Sequence, residues 1–214
     1  TYTFPISDLQ ARGLDVSAID VIMVFPAWGS GEGAVYRLDN VKIYHPDSGQ
    51  EAPSASGITL FADTAADQWR IWDCCGGSTP TEEVDDAEHG TVAEFRIGAT
   101  PTVMGIIADD GHSYDASALL TDGAVRFEMK VSSMPNDASA PWLFKIESID
   151  VSSAVELPIS ASLEGVDPVE GEWQTYTFPL QTLYDLGLDI SAINVIMMFP
   201  AWGSGEGAVY RVDN

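Results

Sequence analysis

Six tryptophans, at positions 28, 69, 72, 142, 173 and 202, are the side chains best suited to recognition chemistry in this 214-residue chain. An indole offers a large flat apolar face and one N–H donor, and it loses little rotamer entropy when it stacks on a ligand. The C–H face of a pyranose ring is its natural counterpart. Trp72 and Trp202 both abut glycine-rich turns, WDCCGG (72–77) and PAWGSGEG (200–207). Turn tips, more than strand interiors, carry binding groups. These two indoles are therefore the candidate stacking platforms, with Glu206 and Lys145 as candidate partners for hydroxyls. Trp142 and Trp173 alternate with their neighbours as strand residues do, and are assigned to the core.

Cys74 and Cys75 are adjacent and are the only cysteines. Neighbouring Cα atoms lie about 3.8 Å apart, less than the about 4.4–6.8 Å of ordinary disulfides. A bond between them closes a tight, strained ring, which an oxidising compartment with no other thiol favours; the alternative is two free thiols. Closed, the ring fixes the 72–77 loop and sets a polarisable face beside Trp72. A zinc site would need two further ligands, and no CxxC or HxxxH spacing is present.

Catalytic pairs are hard to find. Glu147 and Asp150 in KIESID are the nearest approach to two facing carboxyls. A glycosidase needs such groups about 5–5.5 Å or about 6.5–9.5 Å apart, and ExxD spacing on a strand puts them on opposite faces. His112 lacks a nucleophile partner. The chain is expected not to be an enzyme. The acidic run EEVDDAE (82–88) lacks the DxDxDG pattern of a calcium loop and reads as a solvated loop.

The elements that must hold these residues are strands. Val125, Phe127, Met129 and Val131 alternate with Arg126, Glu128, Lys130 and Ser132, and Trp142, Phe144 and Ile146 do the same. That period of two is the mark of half-buried strands. Residues 92–97, 103–108, 175–178, 192–199 and 209–214 add further short runs. Helical signals are confined to a turn near 7–13 and another near 115–120. About ten short strands separated by turns predict an all-β chain, an antiparallel β-sandwich of jelly-roll type.

The chain also repeats itself. Residues 175–214 match residues 1–40 at 30 of 40 positions, at an offset of 174. So long a period implies self-sufficient tandem modules, not solenoid units. Residues 1–45 read as the closing strands of a preceding repeat, in which Trp28 is the counterpart of Trp202. Residues 46–57, rich in Pro, Ser, Gly and Ala, read as a linker. Residues 58–214 read as a β-sandwich module lacking its last strand, the counterpart of VKIY (41–44). The leading segment carries Phe4, Ile19, Val21, Met23, Phe25 and Val41, too few to build a core alone. It is expected either to pack on another copy, by strand exchange between identical repeats, or to fray.

The formal net charge is −24, from 33 acidic and 9 basic residues. That excludes nucleic-acid binding by phosphate neutralisation and argues against docking on anionic lipid. No run approaches the about 18 apolar residues of a membrane span.

From Phe61 onward the chain resembles the non-catalytic, galactose-binding-like jelly-roll modules appended to secreted marine bacterial β-glucan hydrolases. The resemblance is carried by FADTAADQWRIWDCCGGSTP (61–80), HGTVAEFRI (89–97), YDASAL (114–119), WQTYTFPL (173–180), DISAINVIMMFPAWG (189–203) and AVYRVDN (208–214). It implies a secreted module that binds polysaccharide such as β-glucan, with Asp63 and Asp213 flanking a structural calcium ion. Repeated acidic sandwiches also build extracellular filaments and adhesins, so a structural repeat is the alternative expectation.

Overall fold

In the computed structural model, residues 4, 6–14, 19, 22–27, 31–35, 57–78 and 82–214 are described. The chain divides into two units, Thr1–Gly49 and Gln50–Asn214.

The second unit is a β-sandwich. A two-residue hairpin, β1 (Phe61–Ala62) and β2 (Thr64–Ala65), opens it. Ten strands follow: β3 (Trp69–Asp73), β4 (Glu82–Asp86), β5 (Gly90–Arg96), β6 (Met104–Ala108), β7 (Ala124–Ser133), β8 (Trp142–Ser148), β9 (Val155–Pro158), β10 (Trp173–Pro179), β11 (Ile193–Pro200) and β12 (Val209–Asp213). They form two five-stranded sheets in the orders β10-β7-β12-β5-β4 and β3-β6-β11-β8-β9. Every pairing within the two sheets is antiparallel. The expected antiparallel jelly-roll sandwich is the observed fold.

One continuous core lies between the sheets. The alternation seen in the sequence supplies it directly, with Phe127, Met129 and Val131 from β7 meeting Trp142, Phe144 and Ile146 from β8. Phe144 stacks on Phe178 with ring centroids 4.0 Å apart, and Phe127 packs against both. Tyr210 is wholly buried, and its hydroxyl donates to the Met198 carbonyl of the facing sheet at 2.6 Å. That satisfies a group whose burial would otherwise cost about 1–3 kcal/mol. β11 is buried on both faces because it is central: Ile196 and Met198 face the core, whereas Val195, Met197 and Phe199 face outward. A bulge between Ile193 and Val195 shifts which residues point inward.

Two expectations need correction. The acidic run at 82–88 is not a solvated loop, since Glu82–Asp86 is the edge strand β4. Its terminal Asp86 is buried and paired with Arg211 at 2.6 Å, which compensates the charge that had suggested solvent. Trp173, assigned to the core, lies instead on the outer face of the first sheet, whereas Trp142 is in the core as expected.

The loop from Ser162 to Glu172 runs beside the open edge of β10. The Glu164 carboxylate accepts from the Thr177 amide at 2.7 Å and the Thr177 hydroxyl at 2.8 Å. A charged group on an edge N–H blocks pairing with another strand there.

In the first unit the described helix α1 (Ile6–Ala11) is the counterpart, at the same offset of 174, of α2 (Leu180–Asp185) in the second. Both are closed by a glycine in the left-handed region, Gly13 at φ 99° and Gly187 at φ 105°. The closing bonds match as well, Leu14 N to Leu9 O at 3.1 Å and Leu188 N to Leu183 O at 3.1 Å. A glycine C-cap is what this local geometry requires. Burial does not match: Phe4 is 69% exposed and Phe178 2%, and Met23 is 71% exposed and Met197 1%. Trp28 and residues 41–44 lie outside the described residues, as do residues 46–56 of the expected linker.

Candidate functional site

The register of the second sheet places five residues in one transverse row on its outer face. Trp72 sits opposite Gly105, Gly105 opposite Met197, Met197 opposite Lys145, and Lys145 opposite Glu156. Strands spaced about 4.8 Å apart put the backbones of Trp72 and Lys145 about 14 Å from one another. Around the row, Trp72, Val103, Ile107 and Leu143 pack on Val195, Met197 and Phe199, an apolar cluster distinct from the core. Charged residues border it: Lys145 pairs with Glu147 at 2.7 Å, and Arg70 with Asp109. The arrangement is an apolar strip with a tryptophan at one end and hydrogen-bonding groups at the other. Met197 and Gly105 are buried beneath their neighbours, so what a ligand meets is the half-buried Trp72 and Lys145 and the exposed Glu156, which suit flat C–H faces and polar edges.

Gly105 is the position sequence reading missed. A side chain there would put its Cβ 2.0 Å from the Ile196 carbonyl oxygen and 2.7 Å from the Met197 Cα. The absence of a side chain lets β6 and β11 approach closely and leaves no group beside the Trp72 ring in this row. The signal was available, a lone glycine inside a strand pattern, but its meaning depends on which strand lies alongside.

The turn after Trp72 is held by Asp73. Its Oδ1 accepts from the Cys75 amide (3.0 Å) and the Gly76 amide (3.2 Å), and its Oδ2 accepts from the Ser78 amide (2.9 Å) and hydroxyl (2.6 Å). The Thr102 hydroxyl also donates to it. Burial pushes this carboxyl up, but the donors from Ser78, Thr102 and Cys75 outweigh burial and hold it at about 2, below the ordinary 3.8. Cys74 and Cys75 form a disulfide, with Cα atoms 3.8 Å apart. The Cys74 amide donates to Val103 O at 3.1 Å, which ties the turn to β6. A link between adjacent residues closes almost no loop, so it constrains the unfolded chain by only about 1 kcal/mol. Replacing both cysteines by serine is therefore expected to cost about 1 kcal/mol of unfolding free energy, read by urea titration. A loss above about 3 kcal/mol would mean that the pair supports the fold and not only the turn.

Trp202 lies in the β11–β12 loop and is 58% exposed. The loop is anchored at its base by Ala201 N to Pro141 O (2.8 Å) and Gly207 N to Ile97 O (2.9 Å). Glu206 is exposed in the same loop, and its carbonyl accepts from the Asn136 amide at 2.8 Å. The pairing of Pro200 with Trp142 and of Asp73 with Met104 puts this loop and the Cys74–Cys75 turn at the same end of the second sheet. The structure thus joins Trp72, Cys74 and Cys75 in one turn and places Lys145 in the same row as Trp72. Trp202 and Glu206 stand together on a neighbouring loop. Glu147 lines the outer face with Lys145, and the Asp150 side chain accepts from the Ser152 amide at 3.0 Å, capping a 3-10 turn.

A second polar assembly covers the outer face of the first sheet. His89 stacks on Trp173 at 3.9 Å between ring centroids, and its Nδ1 lies 3.1 Å from Asp213 Oδ2 and 3.5 Å from Glu128 Oε2. Arg211 bridges Asp86 (2.6 Å) and Glu94 (2.8 Å), both buried. Burial pushes the Asp86 carboxyl up, but the Glu88 amide, Arg211, the Trp173 indole and Lys130 together hold it below the ordinary carboxylate range.

Asp63 and Asp213 line one polar cavity of about 270 Å³ with Ala62, Glu88, His89 and Asn214. Asp63 Oδ1 accepts from the Thr91 amide at 2.9 Å. Asp213 is 4% exposed, and among the described residues its buried Oδ1 has no hydrogen-bond partner. A buried carboxylate oxygen without a donor is the kind of group a hard cation satisfies. Among the described residues, no three His, Cys, Asp or Glu side chains are grouped closely enough to hold a metal by themselves.

No protein-family model matches the chain, and no curated protein sequence matches it. Its structure is similar to the family 30 carbohydrate-binding module of the cellulosomal cellulase Cel9D-Cel44B of Clostridium thermocellum, with a TM-score of 0.53 and 15% identity over 73% of this chain and 93% of that one. A second family 30 carbohydrate-binding module gives a TM-score of 0.54 and 12% identity, over 73% and 94%. The fold is shared with these modules. The exo-1,3/1,4-β-glucanase of a Pseudoalteromonas species is also similar, at a TM-score of 0.51 and 13% identity, covering 94% of this chain and 24% of that one. At such identities the likeness concerns architecture, and ligand choice rests on the side chains of the site.

Proposed function

We propose that the chain is a non-catalytic carbohydrate-binding module that acts outside the cell on polysaccharide, with β-glucan as the preferred class. The observation that carries this reading is the row Trp72–Gly105–Met197–Lys145–Glu156, an aromatic and apolar strip ending in hydrogen-bonding groups. Trp72 stacks on a sugar ring, and the Cys74–Cys75 ring and Asp73 hold the turn that presents it. Lys145 and Glu156 engage hydroxyls at the far end. Trp202 offers a second stacking face and Glu206 an acceptor. The shared fold with carbohydrate-binding modules supports the same reading. No helix among the described residues is long and apolar enough to cross a membrane.

The test is calorimetric titration with soluble β-1,3-glucan and mixed-linkage β-glucan. Saturable binding is expected, with Trp72→Ala weakening it at least about tenfold, as for a buried aromatic anchor, and Trp202→Ala weakening it less. Silence toward both glucans by a folded protein would sink the reading.

A calcium ion at Asp63 and Asp213 is part of the proposal, with non-carboxylate oxygens completing its shell. It would neutralise the buried Asp213 Oδ1 and pin the opening hairpin to the end of β12. Melting with calcium against chelator is expected to show stabilisation that follows RT ln(1 + [L]/Kd). Equal melting temperatures in the two conditions would remove the ion from the account.

A further inference from the structure

The turn that follows Trp72 is held firmly at both ends and lightly at its tip. At its start the Cys74 amide donates to the Val103 carbonyl at 3.1 Å, and the Val103 amide donates to Cys74 Sγ at 3.5 Å. At its end the Gly98 amide donates to the Gly77 carbonyl at 2.9 Å, and Ser78 forms a β-bridge with Ile97. A side chain on Gly77 would put its Cβ 2.3 Å from the Thr100 carbonyl oxygen, so this point packs directly on the neighbouring loop. Between these anchors stand Cys75 and Gly76, both exposed. Gly76 is in the left-handed region at φ 66°, with open space where a side chain would sit. The amides of both residues reach Asp73 Oδ1, and the disulfide tethers Cys75 to the anchored Cys74.

A bond in this place does little for the fold, because it closes almost no loop. What it restrains is the tip that comes directly after Trp72, the last outward side chain of β3. Restraining a loop in its bound conformation raises affinity by lowering the cost of ordering it. The two sulfurs are also unequal. Cys75 is exposed and open to attack, whereas Cys74 Sγ accepts from an amide, and that donor stabilises it as a leaving thiolate.

We infer, on the basis of the proposed glycan-binding role, that the Cys74–Cys75 bond is a redox switch at the Trp72 end of the strip. The oxidised pair holds the tip for tight binding, and the reduced pair frees it and weakens binding. The reductant is a dithiol. One of its thiolates attacks Cys75 Sγ, forming a mixed disulfide and expelling Cys74 Sγ as a thiolate, which takes up a proton. Its second thiolate then attacks the reductant's own sulfur in the mixed disulfide, and Cys75 leaves as a thiolate that is protonated in turn. The protein gains two electrons and two protons, and the dithiol departs as a disulfide. The chain has no third cysteine, so reoxidation restores the same bond.

The test is calorimetric titration of the full chain with mixed-linkage β-glucan, before and after treatment with dithiothreitol. Alkylation of the folded protein, read by mass spectrometry, reports the redox state. Reduction is expected to open the Cys75 thiol to alkylation without unfolding. Affinity should fall by about three- to tenfold, as release of one ordered tip implies, and reoxidation should restore it. The C74S/C75S variant should bind as the reduced protein does and ignore the reductant. Equal affinity in the two redox states, or a thiol that appears only when the chain unfolds, would overturn the switch and leave the glycan-binding role standing. Failure of the oxidised protein to bind would remove both.

Discussion

Gly105→Ala is expected to lower the stability of the sandwich by about 3 kcal/mol or more, although the change adds a single methyl group. The new Cβ would meet the Ile196 carbonyl oxygen at 2.0 Å and the Met197 Cα at 2.7 Å. Both obstacles are backbone atoms of the central strand β11, which is hydrogen-bonded on its other side to β8. No rotamer change relieves the clash, so the two strands must separate, at a cost at or above the upper range for overpacking. At about 2–4 °C per kcal/mol for a domain of this size, the melting temperature should fall by roughly 6–12 °C. Differential scanning calorimetry reads this directly. A fall of less than about 2 °C would show that β6 and β11 separate easily. In a variant that remains folded at low temperature, glucan affinity should drop as well, because the same separation moves Trp72 relative to Met197 and Lys145.

The second large effect compares one pentapeptide in two places. TYTFP occurs at residues 1–5 and again at residues 175–179. Phe178→Ala removes a ring that is 2% exposed and stacked 4.0 Å from Phe144, and should cost about 3–5 kcal/mol. Phe4→Ala removes the counterpart ring, 69% exposed, and should change module stability by no more than about 0.5 kcal/mol. Urea unfolding monitored by circular dichroism compares the two variants under one condition. Equal losses would mean that the first unit carries as much folding free energy as the second. Phe178→Leu is a useful intermediate, since it keeps apolar volume and loses only the ring contacts.

Much of the architecture could be read directly. The alternation in β7 and β8 placed Phe127, Met129, Trp142, Phe144 and Ile146 in the core, where they are found. The strand at β4 was hidden because its residues are acidic, and strand propensity says little when charge is compensated across a sheet. Arg211 is distant from Asp86 in sequence, and only the β4-β5-β12 order brings the two together. Trp173 misled for a related reason. Alternation shows that a strand has two faces but does not say which one is covered, and Trp173 is half-buried by His89 on the outer face.

The site divides in the same way. Adjacent cysteines beside Trp72 were legible because the chemistry is local, and the disulfide is present. The clamp by Asp73 was legible only in part. Its bonds to Cys75, Gly76 and Ser78 are short-range, but the Thr102 hydroxyl arrives from another turn. Lys145 and Trp72 were each named without a reason to join them. The register β3-β6-β11-β8 supplies that reason, together with Gly105 and Met197 between them.

The two copies of the repeat separate what sequence determines alone from what needs tertiary structure. The helix, its glycine stop and its closing hydrogen bond recur at α1 and α2, because interactions within a few residues suffice for them. Among the described residues the strand does not recur. Ile193–Pro200 forms β11 between β6 and β8, whereas described residues 22–25 with nearly the same sequence form no strand, and Phe25 is 57% exposed. A helix satisfies its backbone within itself, but a strand must borrow donors and acceptors from a neighbour. Sequence therefore decided the class of the fold, the repeat and the adjacent-cysteine turn. Strand order and register decided which tryptophan meets which partner, and so where a ligand finds a surface.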